Sequence, residues 1–206
     1  MVEYVVFASG SGSDFFSAVK AEQAGKIPHG KIVALISNKE DAYALTRAKE
    51  NGIRAEYLGY PGFDALPTEK RVRYRTDNII RVMEETNAKF FFMAGYLLKM
   101  PKEVLARWPG FNIHPAYDMV RFGGQGMHGM HVHEAVIKAR VPYSGATIHA
   151  ANENYDEGDI LMQRKVLILP GDTPEGLQKR VLEIEHEMLP EFLNIITRGM
   201  IMGKCA

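Results

Sequence analysis

The 206-residue chain has one cysteine, Cys205, near its end. No intrachain disulfide can form, and no cysteine-based zinc site can be built. A reducing, cytoplasmic setting is therefore expected. An excess of one charge is also lacking, with 25 Lys and Arg against 25 Asp and Glu. A dedicated nucleic-acid binder needs a basic face, so none is expected; a small anionic ligand needs only one local cluster. No stretch approaches about 18 uninterrupted apolar residues, so no membrane span is expected. The opening MVEYVVFASGSGSDFF lacks a basic n-region and reads as a first strand, not a signal peptide. With 46% hydrophobic and 24% charged residues, disorder is not expected. No repeat, low-complexity tract or linker is visible. The length suits one domain over 1–206, with a core of 2–198 and a short tail.

What is present is the punctuation of alternating strands and helices. Val2 to Ala8 is an apolar run of strand length, broken by Ser9-Gly10-Ser11-Gly12-Ser13. Asp14 to Gln23 follows as a helix with Phe15, Ala18 and Val19 on one face. Lys31 to Ser37, Ala55 to Tyr60, Lys89 to Tyr96 and Phe111 to His114 read as further strands. The run KFFFMAGY suits a central parallel strand covered on both faces. Helices are expected over Asp41 to Asn51, ended by Gly52, and over Pro67 to Thr86, burying Val72, Ile79, Ile80 and Met83. A short helix should start at Pro101 and another cover Met130 to Ala139. Ala146 to Ala151 and Ile160 to Leu169 read as strands joined by a short turn, hence antiparallel. A final helix from Thr173-Pro174 should run to about Arg198, broken or bent near Pro190. The expectation is an α/β, Rossmann-like fold. Its sheet is mostly parallel and twisted, with helices on both faces and an antiparallel pair towards the C-terminus.

In an open α/β sheet, ligands bind beyond the carboxyl ends of the strands. That rule selects Ser9 to Asp14, Gly95 to Met100, Asn112 to Pro115 and Asn152 to Gly158. The first is a small-residue loop before a helix, where backbone N–H groups make an anion site and Ser11 and Ser13 can add donors. It is neither a full dinucleotide fingerprint, since Phe15 replaces the third glycine, nor a P-loop, since no lysine follows. A plain tight turn is the alternative. A carboxylate opposes an anion there, so Asp14 is expected to cap the helix or to offer only its backbone. Asn112 and His114, at i and i+2, point to one side of a strand end. An amide donor and a switchable proton suit an oxygen that gains negative charge; a structural histidine beside a turn proline is the alternative. A carboxylate near His114 would raise its pKa. Asp156, after His149 in an acidic segment, can do so only if its turn folds back over the strand. Five of the seven histidines fall between His114 and His149, yet HGMHVH matches no zinc spacing and no metal is expected. His131 and His133 should enter a helix on different faces. No GxSxG elbow occurs and Cys205 has no histidine near it in sequence, which disfavours covalent catalysis.

The strings SGSGSD, SNKEDAYALTRAKENGI, MAGYL, FNIHPA, GGQGMHGMHVHEAV, GATIHAANENYDEGDIL and LEIEHEMLP occur in this order. Together they resemble the phosphoribosylglycinamide formyltransferase family, folate-dependent enzymes of purine synthesis. NIHP and the His149 to Gly158 segment are shared by folate-dependent formyltransferases at large. The glycine loop and the SNK segment favour the glycinamide ribonucleotide branch. The resemblance implies transfer of a formyl group from 10-formyltetrahydrofolate to the amine of 5-phosphoribosylglycinamide. It implies a substrate phosphate on Gly12, Ser13 and Asp14, and a ribose contact from Glu185. It implies a catalytic trio of Asn112, His114 and Asp156, with His149 in support. The folate would lie against Leu97, Leu98, Lys99 and Met100 and against Asn152 to Asp156, with Arg71 as a further contact. The implied mechanism is direct attack of the amine on the formyl carbon. Asn112 and protonated His114 would hold the oxyanion, while Asp156 keeps His114 cationic and helps to move a proton. The implied partners are small molecules, with no nucleic acid or membrane, for a monomer or homodimer. A 10-formyltetrahydrofolate hydrolase, or a formyltransferase for another amine such as an amino sugar nucleotide, would keep the same trio. Three places depart from the family pattern. Tyr117-Asp118-Met119-Val120 replaces a Leu-Leu-Pro-Lys-like string, Leu98 an arginine, and Asp14 an asparagine.

Overall fold

The apolar runs become the strands of one seven-stranded sheet. The computed structural model describes residues 1–60 and 62–203, so Cys205 lies outside them. The strands are β1 (Val2–Phe7), β2 (Gly30–Ser37), β3 (Arg54–Tyr57), β4 (Phe90–Ala94), β5 (Gly110–His114), β6 (Tyr143–Ala150) and β7 (Ile160–Leu167). Their order is β3-β2-β1-β4-β5-β6-β7. β1 to β5 are parallel, while β6 runs antiparallel to both β5 and β7. The mixed sheet and its antiparallel end match the fold expected.

Side chains alternate across a strand, and here both faces are covered. Tyr4, Val6, Phe90 and Phe92 enter one core. Val5, Phe7, Phe91 and Met93 enter the other. The first core is closed by residues of α1 (Ser13–Gln23), α2 (Tyr43–Glu50), α6 (Met130–Lys138) and α7 (Pro174–Ile201). The second is closed by α3 (Thr68–Glu85) and α4 (Lys102–Leu105).

Three elements differ from expectation. α3 buries Thr76, Ile79, Val82 and Met83, all from Thr76 onward. Its first two turns carry Lys70, Arg71, Arg73 and Arg75 outside the core, which leaves Val72 44% exposed. A helical turn, α5 (Met119–Phe122), forms in what the sequence presents as a loop. Asp118 caps it, its Oδ1 accepting from the Arg121 N–H at 3.1 Å. α7 is continuous through Pro190, so of the break or bend expected there the break does not occur. Proline has no N–H, so the His186 carbonyl loses its intrahelical donor. The Ser17 hydroxyl of α1 donates to that carbonyl at 3.0 Å. Burial of Met188, Leu189, Phe192 and Leu193 then holds the helix on the sheet. No helix among the described residues is long and apolar enough to cross a membrane.

Candidate active site

Strand order reverses at β1, which has β2 on one side and β4 on the other. A crevice opens beyond the carboxyl ends of strands at such a point. One residue, Ser9, ties the three strand exits together. Its N–H donates to the Gly95 carbonyl at 3.0 Å. Its hydroxyl accepts from the Leu97 N–H at 2.9 Å and donates to Asn38 Oδ1. The crevice is a cavity of about 890 Å³. Ser9 to Asp14, Leu97 to Met100, Asn112, His114, His149, Asn152, Asp156 and Glu185 all line it.

The glycine loop forms one end. Gly12 is the N-cap of α1 at φ 66°, a left-handed conformation. A Cβ there would stand 2.6 Å from that of Ala44 in α2, so space and backbone both require glycine. The N–H groups of the first turn of α1 have no intrahelical acceptor and are available to an anion. Asp14 does not cap the helix. Its Oδ1 is buried without a hydrogen-bond partner, 3.5 Å from His186 Nε2. Burial pushes the Asp14 carboxyl up to about 7. Burial, then the neighbouring Asp14, pushes Glu185 well above the carboxylate range.

The centre is built on β5 and β6. Asn112 and His149 stand directly opposite in the antiparallel register. The register of β6 with β7 shifts between Ile148 and His149, a bulge of the kind that re-aims side chains beside sites. His149 Nδ1 lies 2.8 Å from the Ala150 carbonyl. A carbonyl only accepts, so Nδ1 carries a hydrogen, and Nε2 lies 3.5 Å from Asp156 Oδ1. Asn112 Nδ2 donates to that Nε2 at 3.1 Å and to Asp156 Oδ1 at 3.3 Å. The turn after β6 does fold back over β5. It places Asp156, at φ 56°, with Oδ2 3.5 Å from His114 Nδ1. The Gly124 N–H donates to the same Oδ2 at 2.9 Å. His114 Nε2 lies 2.7 Å from the Phe122 carbonyl, so Nε2 carries its hydrogen and Nδ1 faces the carboxylate.

Burial lowers the His114 pKa, and this outweighs the upward pull of Asp156 and the Phe122 carbonyl. Desolvation penalises the charged form, so the free site favours the neutral imidazole more than water does. Burial pushes Asp156 up, but His149, His114 and the Gly124 N–H together bring it below its ordinary value. The carboxylate and the His114 imidazole therefore share one buried site, Oδ2 standing 3.5 Å from Nδ1.

The Formyl transferase family profile matches residues 2–193. The chain is 37% identical over 198 residues to "Phosphoribosylglycinamide formyltransferase, chloroplastic" of Arabidopsis thaliana, covering 95% of this chain and 65% of that protein. It is 30% identical over 207 residues to "Phosphoribosylglycinamide formyltransferase" of Haemophilus influenzae, covering 99% and 91%. The chain belongs to the phosphoribosylglycinamide formyltransferase family. It spans just under two thirds of the length of the plant relatives. A solved glycinamide ribonucleotide transformylase 1 from Symbiobacterium toebii superposes with a TM-score of 0.84 at 27% identity, covering 97% of this chain and 89% of that one. The Brucella melitensis phosphoribosylglycinamide formyltransferase gives 0.79 at 30%, covering 95% of each chain.

Within this family member, the cavity gathers the residues assigned to the trio, the glycine loop and the folate wall, except Arg71 and, in the Asn152 to Asp156 segment, Glu153. The Arg71 side chain lies outside the cavity wall, 3.7 Å from Asp64. The departing string from Tyr117 forms the outer turn α5, with Tyr117 edge-on to Tyr143 at 5.3 Å. It leaves the trio intact. Several cavity residues escape the sequence reading. Lys39 sits in the SNK segment, a signal that was available. The Gly124 N–H and Phe122 carbonyl act through backbone, which no residue type announces. His133 is 2% exposed behind His114 and held down to about 4 by burial and by His114, whereas His131 faces solvent. Among the described residues, no three His, Cys, Asp or Glu side chains are placed to hold a metal ion.

Proposed function

We propose that the protein transfers a formyl group from 10-formyltetrahydrofolate to the amine of 5-phosphoribosylglycinamide. The observation that carries this reading is the meeting of Asn112, His114 and Asp156 at the middle of one cavity. A phosphate-sized anion site lies at one end and an apolar wall at the other. Leu97, Leu98 and Met100 offer that wall to a flat heterocycle, and Asn152 and Tyr155 stand beside it. Lys99 reaches over the Tyr155 ring at 5.2 Å. These residues fit a folate, which supplies the formyl carbon.

The chain's own groups divide the remaining work. First-turn N–H groups of α1 hold the phosphate and Glu185 the ribose. Asn112 keeps one hydrogen on His149. Its other hydrogen rests on Asp156 through the longer, 3.3 Å contact, the one that an incoming carbonyl oxygen would take. Negative charge on that oxygen then meets a preset amide donor. His114 Nδ1 takes the proton released by the attacking amine, and the imidazolium returns it to the folate nitrogen as the bond between that nitrogen and the formyl carbon breaks. Asp156, beside Nδ1, stabilises the imidazolium as it forms. Much of the acceleration comes from holding two substrates in register.

The test is an absorbance assay with 10-formyltetrahydrofolate, with and without 5-phosphoribosylglycinamide. Deformylated folate should appear only when the acceptor is present. Equal turnover without acceptor would make the protein a hydrolase. Turnover with another amine alone would move the acceptor assignment. His114→Ala and Asp156→Asn should each lose about 10²-fold or more in kcat while keeping the native circular dichroism spectrum. Wild-type rates in both variants would overturn the mechanism.

A further inference from the structure

The anion end of the cavity contains a feature that its proposed use leaves unexplained: a carboxylate inside the anion-binding helix. Asp14 lies in the first turn of α1, and its buried Oδ1 has no hydrogen-bond partner. Glu185 of α7 lines the same cavity and is 6% exposed. With both ionised, two negative charges would confront a phosphate that carries nearly two more.

Little positive charge faces Asp14 to offset this. From α7, His186 Nε2 stands 3.5 Å away and makes no hydrogen bond; burial, then Lys20 and Arg47, lower its pKa, so it is neutral near pH 7. Lys20, on α1 itself, lies over the Phe16 ring at 4.9 Å. Arg47, from α2, stacks on Phe16 at 4.7 Å and on Tyr43 at 5.1 Å. Lys39, from the β2–α2 connection, lines the cavity and is exposed. Among the described residues, His186 is the one basic side chain within ion-pair distance of Asp14.

We propose that Asp14 and Glu185 form a proton-binding acid pair within the acceptor subsite, and that seating the acceptor's phosphate is coupled to proton uptake by this pair. The proposal rests on the reading of the glycine loop as the phosphate site. It gives Asp14 a specificity role: the subsite accepts an anion only together with a proton. A protonated carboxyl also becomes an O–H donor, which a carboxylate is not.

The sign follows from linkage. The free Asp14 carboxyl already sits up to about 7, and a bound phosphate raises it further. Below that pH the proton is in place and affinity does not depend on this pair. Above it, binding must recover the proton from solvent, and affinity falls by up to about tenfold per pH unit.

The experiment is calorimetric titration of the whole chain with 5-phosphoribosylglycinamide between about pH 6.5 and 8.5. Two non-phosphate buffers of different ionisation enthalpy report the protons taken up. Asp14→Asn serves as the reference, because the acceptor's own ionisations cancel in the ratio of the two Kd values. That ratio, wild type over variant, should climb above pH 7 towards tenfold per unit, and only the wild type should take up the extra proton. Glu185→Gln, which keeps Asp14, should leave the onset near the wild-type pH, because burial raises the Asp14 carboxyl and Glu185 is still protonated there. Identical pH dependence in wild type and Asp14→Asn would overturn the proposal. Loss of all binding in Asp14→Asn, with the wild type still binding, would overturn it too. If the wild type binds no acceptor at any pH, the functional reading falls and the proposal with it.

Discussion

A single buried histidine illustrates how much the surroundings decide. His133 and His131 are two residues apart on α6, yet one is buried against His114 and the other faces water. The buried imidazole is held down to about 4, first by desolvation and then by His114. The folded state therefore resists protonating it, whereas the unfolded chain does so from about pH 6.5 downward. Its stabilising contribution is full above that value. It is lost as pH falls towards about 4, by as much as about 3 kcal/mol over the window. His114, also depressed, acts in the same direction. Urea midpoints measured near pH 7 and near pH 4.5 should fall sharply for the wild type and less for His133→Gln. An equal fall in both would assign the acid loss to other groups.

At the scale of elements, α7 and α1 are joined where the helix is chemically weakest. Pro190 frees the His186 carbonyl, and Ser17 satisfies it. This contact sets α1 against α7 within one turn of the residues that carry Asp14 and Glu185. Ser17→Ala should cost about 1–2 kcal/mol, because the carbonyl is left without a donor. In a Pro190→Ala background the residue 190 N–H restores the intrahelical bond, and the same Ser17→Ala change should cost close to nothing. A double-mutant cycle by urea denaturation reads this coupling directly. Additive costs would show that Ser17 contributes something other than this bond. A second constraint lies in the turn between β6 and β7. A Cβ on Gly158 would approach the Ala150 carbonyl to 1.7 Å. The tight path there delivers Asp156 to His114.

For the whole molecule, one sheet with a core on each face makes the two halves interdependent. The single tryptophan, Trp108, packs on the core closed by α3 and α4. The 28-residue α7 covers the opposite core. If the chain is one domain, Trp fluorescence and far-ultraviolet ellipticity should trace a single superimposable urea transition. Separate midpoints would mean that the two faces unfold as different units. The same layering explains why the cavity needs both sides. Its glycine loop is held by α1 and α2, its central trio by β5, β6 and the turn after β6, and its apolar wall by the segment after β4.

The amino-acid sequence by itself determined the strands, because a central strand must be apolar on both faces and FFFMA is so throughout. It marked the glycine loop, a run of small residues between a strand and a helix, and it placed Asn112 and His114 on one face of a strand end. These properties are local, or follow from a two-residue repeat. Tertiary structure alone decided the rest. Asp156 reaches Asn112 across 44 residues of chain, through a turn whose path depends on β5, β6 and Gly124. The lowered His114 pKa, the burial of Asp14 beside His186 and the continuity of α7 through Pro190 all turned on burial and on partners from distant segments. Desolvation and hydrogen-bond satisfaction depend on what covers a group. Neighbours in sequence do not carry that information.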